Sequence, residues 1–486
     1  MNTFVRSVLD STDTSVTKNG CKTFSTSLSA NLDFFALASG KRDKYKEAIE
    51  LFRHAFEEDR NLALKNLFYL RDVREGQGER NLFRSLFKTL LPLFPSKELL
   101  KLIPEYGRWD DLISLYSCYG INTNRFIEEI IKEQFKEDAK NMQEGKSISL
   151  LAKWYPLANS VKNPERKAIG EKLTANLFTS EKNARKFIVK LRKHIDLVEQ
   201  KLSEKKYSEI EYSKVPSKAS LKYKKSFAKN DSERYAKYIE SVLEGKVKIN
   251  ASVTYPYEIV AQLNGTYNKQ TMDTLEALWK NLPDYTNGLS SICVVDTSGS
   301  RCVGNPRAID VALSLGIYFA ERNNSVFKNA FMTFSESPKM QYLKGDTLEE
   351  KVRNLATAKW GMSTNIEKTF DCIIEAVKKN NLKQIDVPDQ IVIISDMEFN
   401  ECGRFSGFEM IDNNFSSIGF KRPDLVFWNV NSRGTNIPVR KDENGVILVS
   451  GCSPTIFKQF MLGTTPENFM NEVLNSERYS NITWEN

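Results

Sequence analysis

Ile292-Cys-Val-Val-Asp-Thr-Ser-Gly-Ser300 joins a four-residue apolar run to a string of oxygen-bearing side chains. A run that short, bounded by turn-forming residues, predicts a strand buried on both faces. Similar runs follow at 330–334, 390–394, 425–430 and 446–449, and a weaker one at 340–343 lies close enough to Pro338 to form a hairpin edge. Amphipathic stretches at 308–321, 347–355 and 366–379 alternate with them, and Pro306 suits a first helical turn. Strands and helices in alternation predict a doubly wound, Rossmann-like α/β domain over residues 286–486, with one largely parallel sheet and helices on both faces.

In such a sheet ligands bind beyond the carboxyl ends of the strands, where the strand order reverses. Asp296, Ser298 and Ser300 are spaced by two, so their oxygens can face one side. Ser395-Asp396 follows the run 391–394, and Thr364 lies in the polar loop Gly361-Met-Ser-Thr-Asn365 before a helix. Carboxylates and hydroxyls with no His or Cys suit a hard octahedral cation, Mg²⁺ or Mn²⁺. The competing reading makes the aspartates helix and loop caps and the serines turn formers. Glu398 lies near enough to face the ion, although a loop-surface role is the favoured one. Ser298 has no histidine in this half to act as its base, and no second carboxylate cluster suggests a two-metal hydrolase, so no enzymatic activity is expected.

The set Asp296-x-Ser298-x-Ser300, Thr364 and Asp396 resembles the metal-ion-dependent adhesion site of von Willebrand factor A domains. The resemblance implies that Ser298, Ser300 and Thr364 bind the ion directly, that Asp296 and Asp396 often act through water, and that one ion position is open to an acidic residue of a protein partner.

Upstream, apolar residues recur at three and four, as in Ala48, Ile49, Leu51, Phe52 and Phe56 and again in Leu64, Leu67, Phe68 and Leu70. Gly76 and Gly78 interrupt the pattern before a further helix through Phe83, Leu86, Phe87 and Leu90. Helix after helix predicts a HEAT-like repeat domain over residues 1–285. The glycines and charges of residues 74–80 admit a phosphate cradle, but a helix-to-helix turn with Arg71, Arg74 and Arg80 in structural ion pairs is favoured. Gly107, Arg108, Trp109 and Asp110 read as a turn anchored by Trp109.

The formal charge of +8 is uneven: residues 286–486 hold 21 Lys and Arg against 24 Asp and Glu, whereas residues 1–285 hold 49 against 38, a net of +11. Residues 182–229 alone carry 15 basic and 5 acidic side chains. Such an excess is the electrostatic footprint of a polyanion partner, although a solvated helical face has the same composition. Lys218, Lys222, Lys224, Lys225 and Lys229 are the candidate phosphate contacts, with Tyr223, Tyr235 and Tyr238 placed to stack on unpaired bases. Tyr235, Tyr238 and Ile239 equally fit one core face.

A 486-residue chain that is 41% hydrophobic and 27% charged is neither disordered nor fibrous, and it exceeds what one core usually serves. No apolar run approaches the length of a membrane span. The seven cysteines are scattered without C-x-x-C spacing, which argues for reduced thiols; with a polar start lacking leader features, a cytoplasmic location is expected. The only two histidines, His54 and His194, read as incidental.

Phe68-Tyr-Leu-Arg-Asp-Val-Arg-Glu-Gly-Gln-Gly-Glu-Arg80, Glu105-Tyr-Gly-Arg-Trp-Asp110, Lys153-Trp-Tyr-Pro156 and Tyr212-Ser-Lys-Val-Pro-Ser-Lys218 resemble stretches of a Ro-like family of plants, bacteria and large DNA viruses. Its relatives, the Ro autoantigen proteins, join a TROVE helical module to a von Willebrand A domain. That resemblance implies a ribonucleoprotein component with RNA on the basic helical module. The alternative is a metal-dependent protein-interaction scaffold without RNA.

Overall fold

The computed structural model describes residues 12–92, 96–116, 120–157, 163–263, 265, 268–286, 288–296, 306–334, 338–357, 365–401 and 407–484. Among them are eight strands: β1 (Thr14–Val16), β2 (Lys22–Phe24), β3 (Ser291–Val295), β4 (Ala330–Thr333), β5 (Met340–Tyr342), β6 (Gln390–Ser395), β7 (Asp424–Asn429) and β8 (Val446–Ser450).

β3, β4, β6, β7 and β8 are buried at every residue, as their apolar runs require when helices cover both faces. The sheet order is β5-β4-β3-β6-β7-β8. Only β5 runs antiparallel, against β4, so the edge expected from Pro338 is a hairpin. The chain leaves β3 for β4 on one side and later enters β6 on the other, which puts the switch point between β3 and β6. Val295 pairs with Ile394, so the residues that follow each strand emerge side by side. Helix Ala308–Arg322 lies close over β3 because Gly316 faces Val295, where a Cβ would meet Val295 Cγ2 at 2.6 Å. On β7, Trp428 packs against Phe457 with ring centroids 4.8 Å apart, and its indole N–H donates to the Gly451 carbonyl at 2.8 Å.

The preceding part is built from helices, several of which are capped at the start by a side chain. Asp59 accepts from Leu62 N before helix Arg60–Arg71, Ser96 from Leu99 N before Lys97–Tyr106, and Ser180 from Asn183 N before Glu181–Ile195. Helix Tyr45–Glu58 buries Ala48, Phe52 and Ala55 against its neighbours. The turn after helix Arg60–Arg71 folds back so tightly that a Cβ on Gly76 would lie 2.0 Å from the Tyr69 carbonyl oxygen.

Residues 12–44 depart from the purely helical expectation. β1 and β2 form a short antiparallel hairpin that docks on the sheet half. Thr17 Oγ1 donates to the Phe399 carbonyl and Thr23 Oγ1 to that of Ile437, both at 2.6 Å. Helix Ala30–Leu37 continues the contact, its Phe35 and Leu37 carbonyls accepting from Ser450 and Ser432 hydroxyls. At the other end of the chain, Tyr479 stacks on Tyr106 at 5.7 Å and Arg478 pairs with Asp72 at 2.8 Å. The halves thus share one hydrophobic core although the element type changes between helix Lys269–Lys280 and β3.

Candidate functional site

Asp296 follows β3 and Asp396 follows β6, so the two carboxylates stand at the ends of neighbouring central strands. Both are buried. Asp296 Oδ2 accepts from Ser395 Oγ at 3.0 Å, and its backbone N–H donates to the Ile394 carbonyl at 3.1 Å. Asp396 Oδ1 accepts from the Glu398 N–H at 3.2 Å, a tight turn that holds Met397 at φ +62°, and Oδ2 lies 3.3 Å from Arg433 Nε. Ser298, Ser300 and Thr364 lie outside the described residues. Asn365, the next residue after Thr364, caps helix Ile366–Asn380 by accepting from Lys368 N.

Glu398 is not on the surface as expected. It is 6% exposed and accepts from the Lys18 N–H at 2.7 Å, while its carbonyl accepts from Asn19 Nδ2. The physical reason is the docked hairpin, which covers this loop. Among the described residues no group of three or more His, Cys, Asp and Glu is arranged to hold a metal. Two adjacent buried carboxylates still call for positive charge, and Arg433 supplies some of it to Asp396. A cation held there would compete with Arg433 for Asp396. Arg433→Gln is expected to tighten Mn²⁺ or Mg²⁺ binding by about 1 kcal/mol, the order of a partly exposed ion pair, and Asp296→Ala to abolish it. Titration calorimetry on both variants checks this, and equal heats from wild type and Asp296→Ala would count against an ion site.

The five candidate lysines divide. Lys222, Lys225 and Lys229 are exposed on helix Ser217–Asn230. Lys218 is half-buried, paired with Glu258, with its ammonium 4.7 Å from the centre of the Tyr255 ring. Lys224 is 4% exposed and donates to the Leu221 carbonyl at 3.0 Å and to Gln262 Oε1. Its placement differs from the expected surface role because it shares a face with Leu221 and Phe227. The tyrosines are also taken: Tyr212, Phe227, Tyr235 and Tyr238 form one aromatic cluster, and Tyr235 is buried.

Burial, helped by Lys225, pulls the Lys224 ammonium down to about 8. The unfolded chain then holds this proton up to its usual value near 10.5, so unfolding takes up protons between those limits and stability rises with pH across that window. Wild type is expected to gain on Lys224→Met between pH 7 and 10 in paired denaturant titrations; a constant difference would show that Lys224 keeps its ordinary pKa.

A basic surface that the sequence reading did not single out lies on helix Glu181–Ile195. Lys182, Lys186, Lys190 and Lys193 fall at helical spacing, with Arg185 beside them, opposite the buried Ala184, Ile188 and Leu191. All five cations are exposed, and none meets a carboxylate at ion-pair distance among the described residues. The signal was the spacing itself, within a stretch already noted for its charge.

A helical module leading into a doubly wound sheet, with two buried carboxylates at the ends of neighbouring central strands, defines a two-part α + α/β protein. Two family models cover it: a domain of unknown function, DUF2828, over residues 17–100 and 125–285, and a second, DUF7788, over residues 290–483. The chain belongs to the DUF2828 family. Its relatives include the uncharacterized protein L728 of Acanthamoeba polyphaga mimivirus, 30% identical over 92% of this chain and 84% of that one. Among solved structures, that of the Deinococcus radiodurans Ro (RSR) protein is matched over 88% of this chain and 94% of its own, with a TM-score of 0.45 and 13% identity.

Proposed function

We propose that this protein is a non-enzymatic, RNA-binding ribonucleoprotein component: RNA lies on the basic helical part, and a divalent cation on the sheet part recruits a partner. The observation that carries the reading is the stripe of exposed cations on helix Glu181–Ile195 that meet no carboxylate at ion-pair distance among the described residues. A stripe of that kind is spent on polyanion binding, because unpaired surface charges repel one another and gain most by displacing counterions from phosphates. Lys222, Lys225 and Lys229 extend the basic surface; Lys218 and Lys224 have other work. Ser298, Ser300 and Thr364 with Asp296 and Asp396 would hold Mg²⁺ or Mn²⁺ and leave a position for a partner's carboxylate. The described cysteines are free thiols, in keeping with a cytoplasmic setting. Among the described residues, no helix is long and apolar enough to cross a membrane.

Pulldown from native extract with wild type, Thr364→Ala and Asp396→Ala tests both parts, scoring RNA and protein separately. The reading expects RNA from all three and loss of protein partners from the two variants. Protein without RNA from wild type would favour the scaffold alternative, and identical recoveries from all three would remove the recruiting role of the ion.

A further inference from the structure

The four sequence stretches that carry the Ro-like resemblance are far apart in the chain, yet they meet at one place. Arg71 donates to Asp111 Oδ2 through Nε and Nη2, at 3.0 and 2.7 Å. Gly107 makes room for that pair: a Cβ there would lie 2.6 Å from Asp111 Oδ2. Arg84 bridges Asp110 and Asp111 at 2.7 Å to each, and Arg166 pairs with Asp110 while donating to the Trp154 carbonyl. Arg108 lies over the Trp154 ring, 5.4 Å from its centre. Lys218 sits over Tyr255, whose hydroxyl reaches the Gln77 carbonyl at 3.4 Å.

The charges do not balance. Among the described residues, the carboxylates that pair with Arg71, Arg84, Arg166 and Lys218 are Asp110, Asp111 and Glu258, and Glu79 next to Arg80 is already paired with Arg42. Arg80 and Arg108 are left over: both are half-buried, and neither guanidinium meets a carboxylate among the described residues. The favoured sequence reading, in which Arg71, Arg74 and Arg80 all serve structural ion pairs, therefore holds for Arg71 and not for Arg80. Burial, and then a neighbouring guanidinium, lower the pKa of each: Arg108 acts on Arg80, Arg71 acts on Arg108, and both Arg80 and Arg108 act on Lys218. Helix Arg80–Leu90 also starts without a side-chain cap, since its N-cap residue Glu79 is turned to Arg42 at 2.8 Å. Half-buried unpaired cations are costly to hold together unless an anion joins them.

We propose that Arg80 and Arg108, with Lys218 beside them, form a binding site for a phosphate group. Two guanidiniums offer planar forks of donors matched to phosphate oxygens, and the free amides of an uncapped helix start add donors to the same anion. Trp154 and Tyr255 supply flat apolar walls behind Arg108 and Lys218. The source of the phosphate is either a free phosphate ion or the terminal phosphate of a nucleic acid strand. The site is separate from the stripe on helix Glu181–Ile195, so either can fail without the other.

The full-length protein is compared with the double variant Arg80→Gln/Arg108→Gln and with Lys186→Glu/Lys190→Glu. The first probe is inorganic phosphate, read as a rise in thermal midpoint at constant ionic strength; the second is a single-stranded RNA oligonucleotide with and without a 5′-phosphate. The wild type and the Lys186/Lys190 variant are expected to show the rise, or about tenfold preference for the phosphorylated strand, a difference of about 1.4 kcal/mol. The Arg80/Arg108 variant is expected to lose it while remaining at least as stable as wild type without phosphate, because two uncompensated charges have gone. A response to phosphate alone assigns the site to the free ion, and a response to the 5′-phosphate assigns it to the strand end. No response from wild type to either probe, or equal responses from wild type and the arginine variant, would overturn the proposal.

Discussion

Asp111→Ala is expected to destabilise the protein by about 3–5 kcal/mol, the cost of leaving a buried ionic partner uncompensated. Asp111 is 0% exposed and accepts from Arg71 twice, from Arg84 Nε and from the Arg108 backbone N–H. Its removal strands the guanidinium of Arg71, itself 1% exposed, and releases the turn that positions Arg108. The neighbouring carboxylate, Asp110, is already engaged by Arg84 and Arg166 and does not stand ready to take over. Denaturant unfolding followed by circular dichroism reads the change. Glu133→Ala, which breaks an exposed pair with Lys97, is the control and is expected to leave the midpoint unmoved. A midpoint for Asp111→Ala close to that of the control would show that Asp111 is not the hinge of this network.

The sheet half was legible because its strands are buried on both faces, and buried strands are continuous apolar runs. The neighbourhood of Asp296 and Asp396 followed from the switch-point rule once β3 and β6 were placed as neighbours. The hairpin at Thr14–Phe24 was not legible: its strands are three residues long, and the groups that hold it, Phe399, Asn400 and Ile437, lie at the far end of the chain, 382 to 414 residues away for the side-chain bonds. Without that hairpin, Glu398 reads as a surface residue. Lysine identity misled in a different way, since charge in a sequence does not say which way a side chain faces. Periodicity did: Lys224 is three residues from both Leu221 and Phe227, on the buried face, while Lys186 and Lys190 repeat on an exposed one. The meeting of Arg80, Arg108, Trp154 and Lys218 needed the tertiary fold, because each lies on a different helix or turn and no local pattern links them.

The central claim is that the helical part holds RNA by phosphate contacts on helix Glu181–Ile195. The most direct measurement is the affinity for a single-stranded RNA oligonucleotide across a salt series, for wild type and for Lys186→Glu/Lys190→Glu/Lys193→Glu. These three side chains are exposed and bury nothing, so the fold is expected to survive the change. The logarithm of the wild-type association constant should fall linearly with the logarithm of salt concentration, and removing three contacts should flatten the slope by about 2. At low salt the variant is expected to bind roughly 100-fold more weakly, since reversal replaces attraction by repulsion along the strand. A wild-type protein that binds no RNA at low salt, or a variant with the same affinity and the same slope, would contradict the account.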